Sequence, residues 1–274
     1  MITKADLHLH TNYSDGVFSV SEIAEKTKKA GLSVISFTDH DNIGAVEEFY
    51  KFKIKIGLEI IPGIEFSADF KGKEIHILAY FIDYKSKKLK EFLKAMRENR
   101  IKRLEQIIVK LKKLGCKIDG ETFFEQAPEN VSLGRPHLAI LMVNKGFVKN
   151  YFDAFNKYLA ENKPAYVQKP NPNIEDTLDL IESLGGLSFL AHPSKYLKSM
   201  NIEELLKLRF DGVEIIHPSH THETVEYLLK LVSSNFLLVT GGSDFHGILQ
   251  SDEENLGSFY ITKADVLSMK RRLF

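Results

Sequence analysis

The sequence predicts an α/β protein in which parallel strands present chemical groups at one edge, with a mostly helical segment inserted in the middle. Two observations carry this. Short β-rich runs alternate with amphipathic helical runs at both ends of the chain, the pattern of a barrel or open sheet. From Lys85 to Lys163 that alternation stops and helical spacing takes over. The expected organisation is therefore a metal-binding barrel from residues 1–84 and 164–274, with residues 85–163 as a helical insertion that contributes to the substrate site.

Taken in order, Ile2–His10 reads as a strand. Ser19-Val20-Ser21-Glu22 has the spacing of a capping box and opens a helix that runs to about Gly31. Ser33–Thr38 is a second strand, Ala45–Lys55 a helix and Glu59–Ser67 a third strand. Lys71-Gly72-Lys73 is a hairpin turn into a strand over Glu74–Phe81. In the insertion, Leu89, Phe92, Leu93, Met96, Leu104, Ile107, Ile108, Leu111 and Leu114 keep one helical stripe as far as Gly115, with a solvated Lys/Arg/Glu face opposite. Shorter helices follow around Gly120–Gln126, Arg135–Lys145 and Tyr151–Glu161. After Pro164, Asn173 caps a helix through Leu184, and Leu187–Ala191 is a strand. Helix at Asn201–Leu208, strand at Gly212–Ile216, helix at Glu223–Val232, strand at Phe236–Thr240 and a terminal helix at Lys263–Phe274 complete the pattern.

The bulk properties narrow the function. The 274 residues hold 37 basic and 37 acidic side chains, so no global field draws the chain onto nucleic acid or an anionic membrane. Cys116 is the single cysteine, which excludes an intramolecular disulfide and a thiolate metal site. It follows a helix end with no histidine motif beside it, so it is not read as a nucleophile. No signal peptide or membrane-length apolar run is apparent, and a cytoplasmic location is expected, with no obligate protein partner.

Histidines and carboxylates carry the chemistry. His8 and His10 lie two apart on a strand, so both imidazoles face the same way. His40, Glu65, His192, Asp244 and His246 also fall at or just past the ends of apolar β runs, His76 lies inside one, and Asp15 follows the first. In a barrel these positions meet at one mouth. They are too many for one ion, so a multinuclear site is expected. Nitrogen and oxygen ligands without thiolate suit zinc, manganese or iron better than calcium or magnesium alone. Clustered divalent ions activate water and clamp phosphoryl oxygens, which points to phosphate-ester hydrolysis, though amide hydrolysis uses similar metals.

Two readings fit Gly134-Arg135-Pro136-His137: an arginine clamp for phosphate beside a histidine, or an ordinary helix start with Pro in its first turn. Asp6, Asp39 and Asp41 are either carboxylates orienting the ligands or loop residues. His217, His220 and His222 follow a strand and are candidates to touch substrate.

Together His8-Leu9-His10 with Asp15, Thr38-Asp39-His40-Asp41, Gly63-Ile64-Glu65, Glu74-Ile75-His76, Ala191-His192-Pro193 and Ser243-Asp244-Phe245-His246 resemble the PHP (polymerase and histidinol phosphatase) family of metal-dependent phosphoesterases. Gly134-Arg135-Pro136-His137 and Pro218-Ser219-His220-Thr221 look like its nucleotide-acting subgroup, which dephosphorylates nucleoside 3′,5′-bisphosphates and in some members trims short RNA from the 5′ end. The resemblance implies a distorted (β/α)7 barrel with three divalent ions. One would take His8, His10, Glu65 and Asp244; a second would share Glu65 and add His76 and His192; a third would take Asp15, His40 and His246. It implies a hydroxide nucleophile bridging the first two, Arg135, His137 and His220 against the substrate, and His137 as proton donor, with Glu65 and Asp244 catalytic through the metals. Asp15 stands where the histidinol-phosphatase branch usually has histidine, which favours a nucleotide over histidinol phosphate. The alternatives are an exonuclease on short single-stranded RNA or DNA, motivated by the insertion's basic face, a histidinol-phosphate phosphatase, and a non-enzymatic accessory module, which would be expected to have lost ligands.

Overall fold

A computed structural model describes residues 3–52, 57–128 and 130–273. Ile2, the end of the expected second helix from Lys53 to Lys55, and Phe274 lie outside the described residues. The first half runs β1 (Lys4–Leu9), α1 (Val20–Lys29), β2 (Leu32–Phe37), α2 (Gly44–Phe52), β3 (Glu59–Ile60), β4 (Gly63–Phe70) and β5 (Lys73–Tyr80). Helices α3 (Lys87–Lys113), α4 (Gly120–Glu125), α5 (Arg135–Asn144) and α6 (Tyr151–Ala154) follow, the last continued by a π-helical turn over Phe155–Leu159. Then come α7 (Ile174–Ser183), β6 (Leu187–Leu190), α8 (Ile202–Leu205), β7 (Gly212–Ile216), α9 (His222–Ser234), β8 (Leu238–Gly241), α10 (Gln250–Asn255), β9 (Ile261–Thr262) and α11 (Lys263–Arg272). The capping box at the start of α1 forms as expected: the Ser19 hydroxyl accepts from the Glu22 amide and the Glu22 carboxylate accepts from the Ser19 amide.

The strands make two sheets, ordered β3-β2-β1-β9 and β4-β5-β6-β7-β8. No closed ladder runs among the described residues, so the single barrel expected from sequence is not what the hydrogen bonds show. The reason is local. Pro62 breaks the expected Glu59–Ser67 strand into β3 and β4, because proline has no N–H to continue a ladder. The unforeseen β9 occupies the other edge of β1 through Lys4–Thr262 and Ala5–Ile261. Isolated bridges Leu9–Phe245 and His40–Glu65 still join the sheets at one end.

The expectation of parallel strands holds for β1-β2-β3 and β6-β7-β8. β4 and β5 are antiparallel, as the hairpin reading of Lys71-Gly72-Lys73 expects, and the parallel expectation fails at β5-β6. The Lys71-Gly72 turn is too short for a crossover, and so tight a connection joins only antiparallel neighbours. This reversal also explains His76. Because β5 runs against β6, its middle lies beside the end of β6, and the His76 carbonyl accepts from the Ala191 amide.

Three apolar clusters hold these elements. One, including Ala5, Leu7, Val34, Leu78, Tyr80 and Phe189, draws on both sheets. A larger one packs Ile35, Phe37, Ile64 and Phe66 with residues from the flanking helices. The third lies wholly within residues 104–165 and includes Leu104, Ile107, Leu111, Leu138 and Met142. Helix α3 serves two of them, with Leu89 and Leu93 in the larger cluster and Leu104 to Leu111 in the separate one.

Between those two contacts α3 buries Arg100 and Arg103, so its basic side is not wholly solvated as the sequence suggested. Asp41 draws Arg100 in, accepting from Nε at 2.9 Å, and the Val167 carbonyl accepts from Arg103 Nε at 2.7 Å. Burial alone would raise the Asp41 carboxyl, but Arg100, then Lys169, hold it below its ordinary 3.8. Arg100→Met leaves Asp41 buried with a weaker partner and should lower unfolding free energy by about 3–5 kcal/mol in urea titration. The wild-type contribution is full above pH 3.8, the unperturbed value, and is lost as pH falls through the lower folded one.

Candidate metal centre

The nine sequence-predicted ligands come together where the two sheets are bridged. His8 and His10, both fully buried, leave β1 pointing at Glu65 and Asp244. His8 Nε2 lies 3.2 Å from Asp244 Oδ1 and 3.5 Å from Glu65 Oε2. His10 Nε2 lies 3.2 Å and 3.3 Å from the same two atoms. Two ligands about 2.1 Å from one ion at a tetrahedral angle would be separated by about 3.4 Å, so these distances are those of a coordination shell's edges.

Glu65 Oε1 faces His76 Nδ1 and His192 Nε2, each at 2.9 Å, and the two nitrogens are 3.3 Å apart. Glu65 Oε2 also meets His40 Nδ1 at 2.9 Å. Around Asp15 gather His246 Nε2 at 3.3 Å, His10 Nδ1 at 3.7 Å and His40 Nε2 at 3.8 Å. His10, Asp15, His40 and His246 thus form one group able to hold a cation, and His8, His10 and Glu65 another. Buried His8 Nε2, His10 Nε2, His40 Nδ1, Asp15 Oδ1 and Glu65 Oε2 make no hydrogen bond. So many orphaned lone pairs aimed at one another fit bound cations, because buried polar atoms are otherwise almost always paired.

Proton affinities diverge within the cluster. Burial, then the nearby His246, push His10 down to about 3. Burial also opposes a charge on His246, but Asp15 beside it raises its pKa to about 10. His76 is raised to about 9 by Glu65 against the same desolvation. Metal ligation needs neutral imidazole, so ion binding here must displace protons from His76 and His246.

One residue that sequence reasoning missed, Glu214, and one read there as a substrate candidate, His217, support the ligands. Glu214, fully buried on β7, accepts from His8 Nδ1 at 2.8 Å and from the His192 amide at 2.6 Å. This fixes the His8 tautomer and aims Nε2 inward. Nothing in the apolar strand around Glu214 signals a partner; only its charge inside a β run could have drawn attention. His217 is buried, and its Nε2 lies 3.1 Å from Asp244 Oδ2, so it joins His8 and Asp244 in a further ligand group.

The three aspartates beside the ligands hold backbone rather than imidazoles. Asp6 accepts from the His8 and Ser243 amides, Asp39 from Thr11 and Ser14, and Asp41 from the Ser67 amide. His192 and Asp244 both sit at positive φ, 31° and 50°, a strained state for non-glycine residues that the surrounding bonds must enforce.

Arg135 and His137 open α5, but their side chains part. Arg135 Nη1 donates to the Leu159 carbonyl at 3.2 Å, and its guanidinium lies 5.5 Å from the Tyr166 ring centre. It lines a cavity of about 410 Å³. His137 Nδ1 accepts from the Gly134 amide at 3.1 Å. Burial holds its pKa below the ordinary value, opposed by Asp15 and by a bond to the Ser14 backbone. His220 Nδ1 bonds the Ile215 carbonyl at 2.8 Å and Nε2 is unpaired, whereas His222 is exposed beside Glu226 and apart from the site. A second cavity of about 790 Å³ opens over Asp15, His217, Asp244 and His246 and is walled by Tyr151, Phe152, Ile248 and Leu249.

Six imidazoles and three carboxylates converging on one end of an α/β fold define the centre of a metal-dependent hydrolase. The chain belongs to the PHP family of phosphoesterases: the PHP domain model matches residues 6–238. A 3′,5′-nucleoside bisphosphate phosphatase from Chromobacterium violaceum is 30% identical over 248 residues, 88% of this chain and 86% of that protein. A 5′-3′ exoribonuclease from Haemophilus influenzae is 31% identical over 253 residues, 90% of this chain and 91% of that protein. A crystal structure assigned to a metal-dependent phosphoesterase of Bifidobacterium adolescentis superposes with a TM-score of 0.88 at 25% identity, covering 98% of this chain and 96% of that one. No helix among the described residues is long and apolar enough to cross a membrane.

Two variants test the supports. Glu214→Gln should weaken metal retention by about 10–100-fold, read as metal content after dialysis against a chelator series. Gly242→Ala would put a Cβ against Asp6 Oδ1 and 2.5 Å from the His8 amide nitrogen. It should destabilise the fold by about 1–3 kcal/mol in thermal or urea unfolding, with loss of bound metal.

Proposed function

We propose that this chain hydrolyses a phosphomonoester of a small nucleotide, releasing the 3′-phosphate of a nucleoside 3′,5′-bisphosphate. The observation that carries the reading is the single carboxylate of Glu65 within 3.5 Å of five imidazole nitrogens, on His8, His10, His40, His76 and His192. That density of ligands fits three divalent ions, manganese, zinc or iron. His8, His10, Glu65 and Asp244 would hold one; Glu65, His76 and His192 a second; Asp15, His40 and His246 a third, with His10 close by. When bound, such ions polarise a phosphoryl oxygen and lower the pKa of a water molecule.

The protein's own groups then have distinct tasks. Glu214 keeps His8 in one tautomer, and Asp6 and Asp39 hold the ligand-bearing loops in place. His217, on the far side of Asp244 and lining the larger cavity, faces the substrate. Arg135 supplies a fork for phosphate oxygens. His137 also belongs to the substrate side: its Nδ1 accepts from the Gly134 amide, which leaves Nε2 as the nitrogen that would donate a proton. His220 acts behind His217, whose ring centre is 5.3 Å away. We read the two sheets as a distorted (β/α)7 barrel opened by Pro62 and β9, and residues 85–163 as the insertion that carries Arg135 and His137 to its mouth.

The likeness to an exoribonuclease favours a second reading, removal of nucleotides from short 5′-phosphorylated RNA. Phosphate release from adenosine 3′,5′-bisphosphate, histidinol phosphate and 5′-phosphorylated oligonucleotides, compared on the metal-loaded protein, separates the readings. The bisphosphate should be turned over best. Equal or faster turnover of histidinol phosphate would overturn the substrate assignment, and chain shortening without release from the bisphosphate would select the exonuclease. Asp15→Ala should lower metal content by one equivalent while the fold persists; unchanged stoichiometry would contradict the third site.

A further inference from the structure

Asp244 presents its two oxygens to different neighbours. Oδ1 faces the imidazole cluster, 3.2 Å from both His8 Nε2 and His10 Nε2. Oδ2 lies 3.1 Å from His217 Nε2, with the exposed Lys195 contributing Nζ at the longer distance of 3.7 Å. His217 is buried, and its ring centre is 6.0 Å from that of His8 and 5.6 Å from that of His192. By distance alone it is one more candidate ligand, grouped with His8 and Asp244.

The tautomer of His217 separates a ligand from a hydrogen-bond donor. The Ser219 amide donates to His217 Nδ1 at 3.0 Å. A backbone N–H can only donate, so Nδ1 is an acceptor and carries no proton. The Ser219 hydroxyl, 2.8 Å from the same nitrogen, can therefore only donate to it, and it accepts in turn from the Ser194 hydroxyl at 2.7 Å. The ring proton is left on Nε2, the nitrogen that faces Asp244 Oδ2. An imidazole nitrogen that keeps its proton has no lone pair to offer a cation.

Local sequence builds this geometry. His217 directly follows β7, and Pro218 presets the backbone for the second position of a tight turn. The His220 amide donates to the His217 carbonyl at 3.0 Å and closes that turn, which brings the Ser219 amide against the ring. On the other side, the Gly242 amide donates to the Ile216 carbonyl at 2.9 Å. That bond holds the segment leading to Asp244 beside the one leading to His217.

We infer that His217 is a positioning residue and not a ligand: its Nε2–H holds Asp244 Oδ2, so that Asp244 meets its ion through Oδ1 alone. A carboxylate bound through one oxygen leaves a coordination position for water or a phosphoryl oxygen, the open position that catalytic metal sites keep. Glu214, three residues earlier on the same segment, orients His8 in the same manner. The strand and its turn thus set two of the candidate ligands of one ion. This rests on the reading of Asp244 as a metal ligand and does not depend on which phosphate ester is hydrolysed.

The test reads the ring nitrogens directly. Long-range proton–nitrogen correlation spectra of the isotope-labelled protein, metal-free and zinc-loaded, report which nitrogen of each histidine bears the proton. The His217 signals are those missing from His217→Gln. Nε2 should be protonated and Nδ1 bare in both states; a bare Nε2 in the zinc-loaded protein overturns the inference. Kinetics give a second arm. With manganese in excess, His217→Leu should lower kcat for adenosine 3′,5′-bisphosphate by about 10–100-fold. His217→Gln, whose amide N–H can donate to Oδ2 from the Nε2 position, should recover most of that loss. Equal losses in the two variants overturn the positioning role. Should the wild type not turn over the bisphosphate, or His217→Leu not fold, the spectra of the wild type still decide the role of His217. The first of those results overturns the substrate reading alone.

Discussion

The structure depends on one carboxylate. Glu65 is fixed by the bridge to His40 that joins the two sheets, and both its oxygens face imidazoles from separate segments of the chain. Burying a charge in this way is unfavourable unless neighbouring groups compensate it. The histidines around Glu65 do so electrostatically and hold its pKa well below the ordinary value against desolvation. Four strands and loops, carrying His8 and His10, His40, His76 and His192, must therefore be placed around one side chain before the site exists. The sheets can stay unclosed as a hydrogen-bonded ladder because their site end is tied at this point.

The surrounding polar network consists of acids that accept backbone amides. Asp6 ties β1 to the loop after β8, Asp39 ties the loop after β2 to the one after β1, and Glu214 ties β7 to the turn after β6. These are long-range ties that set the relative positions of strand ends, not local caps. They also hold His192 and Asp244 in left-handed backbone conformations that are uncommon for non-glycine residues. In this arrangement, fold stability and site geometry are carried by the same bonds, so the supports of the centre cannot be changed without affecting both.

Much of this was readable in the chain. The helix boundaries followed apolar periodicity and caps such as Ser19 and Asn173, because those signals are local and act within one turn. The ligand positions were legible because they track strand ends. Other features were not legible because they arise from pairing between distant segments. Strand β9 is two residues long, and its existence depends on the edge of β1. The antiparallel pairing of β4 and β5 was legible in the Lys71-Gly72-Lys73 hairpin turn, whereas that of β5 with β6 joins segments far apart in the chain and was not. Arg100 and Arg103 read as surface charge because only the fold places Asp41 and the Val167 carbonyl against them.

Residue order alone determined which side chains could bind cations, where most of the strands and helices would lie, and that the chain belongs to the PHP family. Those properties follow from residue types at fixed short spacings, which constrain the backbone wherever it lies. Tertiary structure decided how the candidate ligands are grouped and supported: that Glu65 falls in two of the groups able to hold a cation, that Glu214 orients His8, that His217 joins Asp244, and that Arg135 and His137 make separate bonds. Such choices depend on distances between residues far apart in sequence. Only packing sets those distances, because no local preference of the backbone reaches across them.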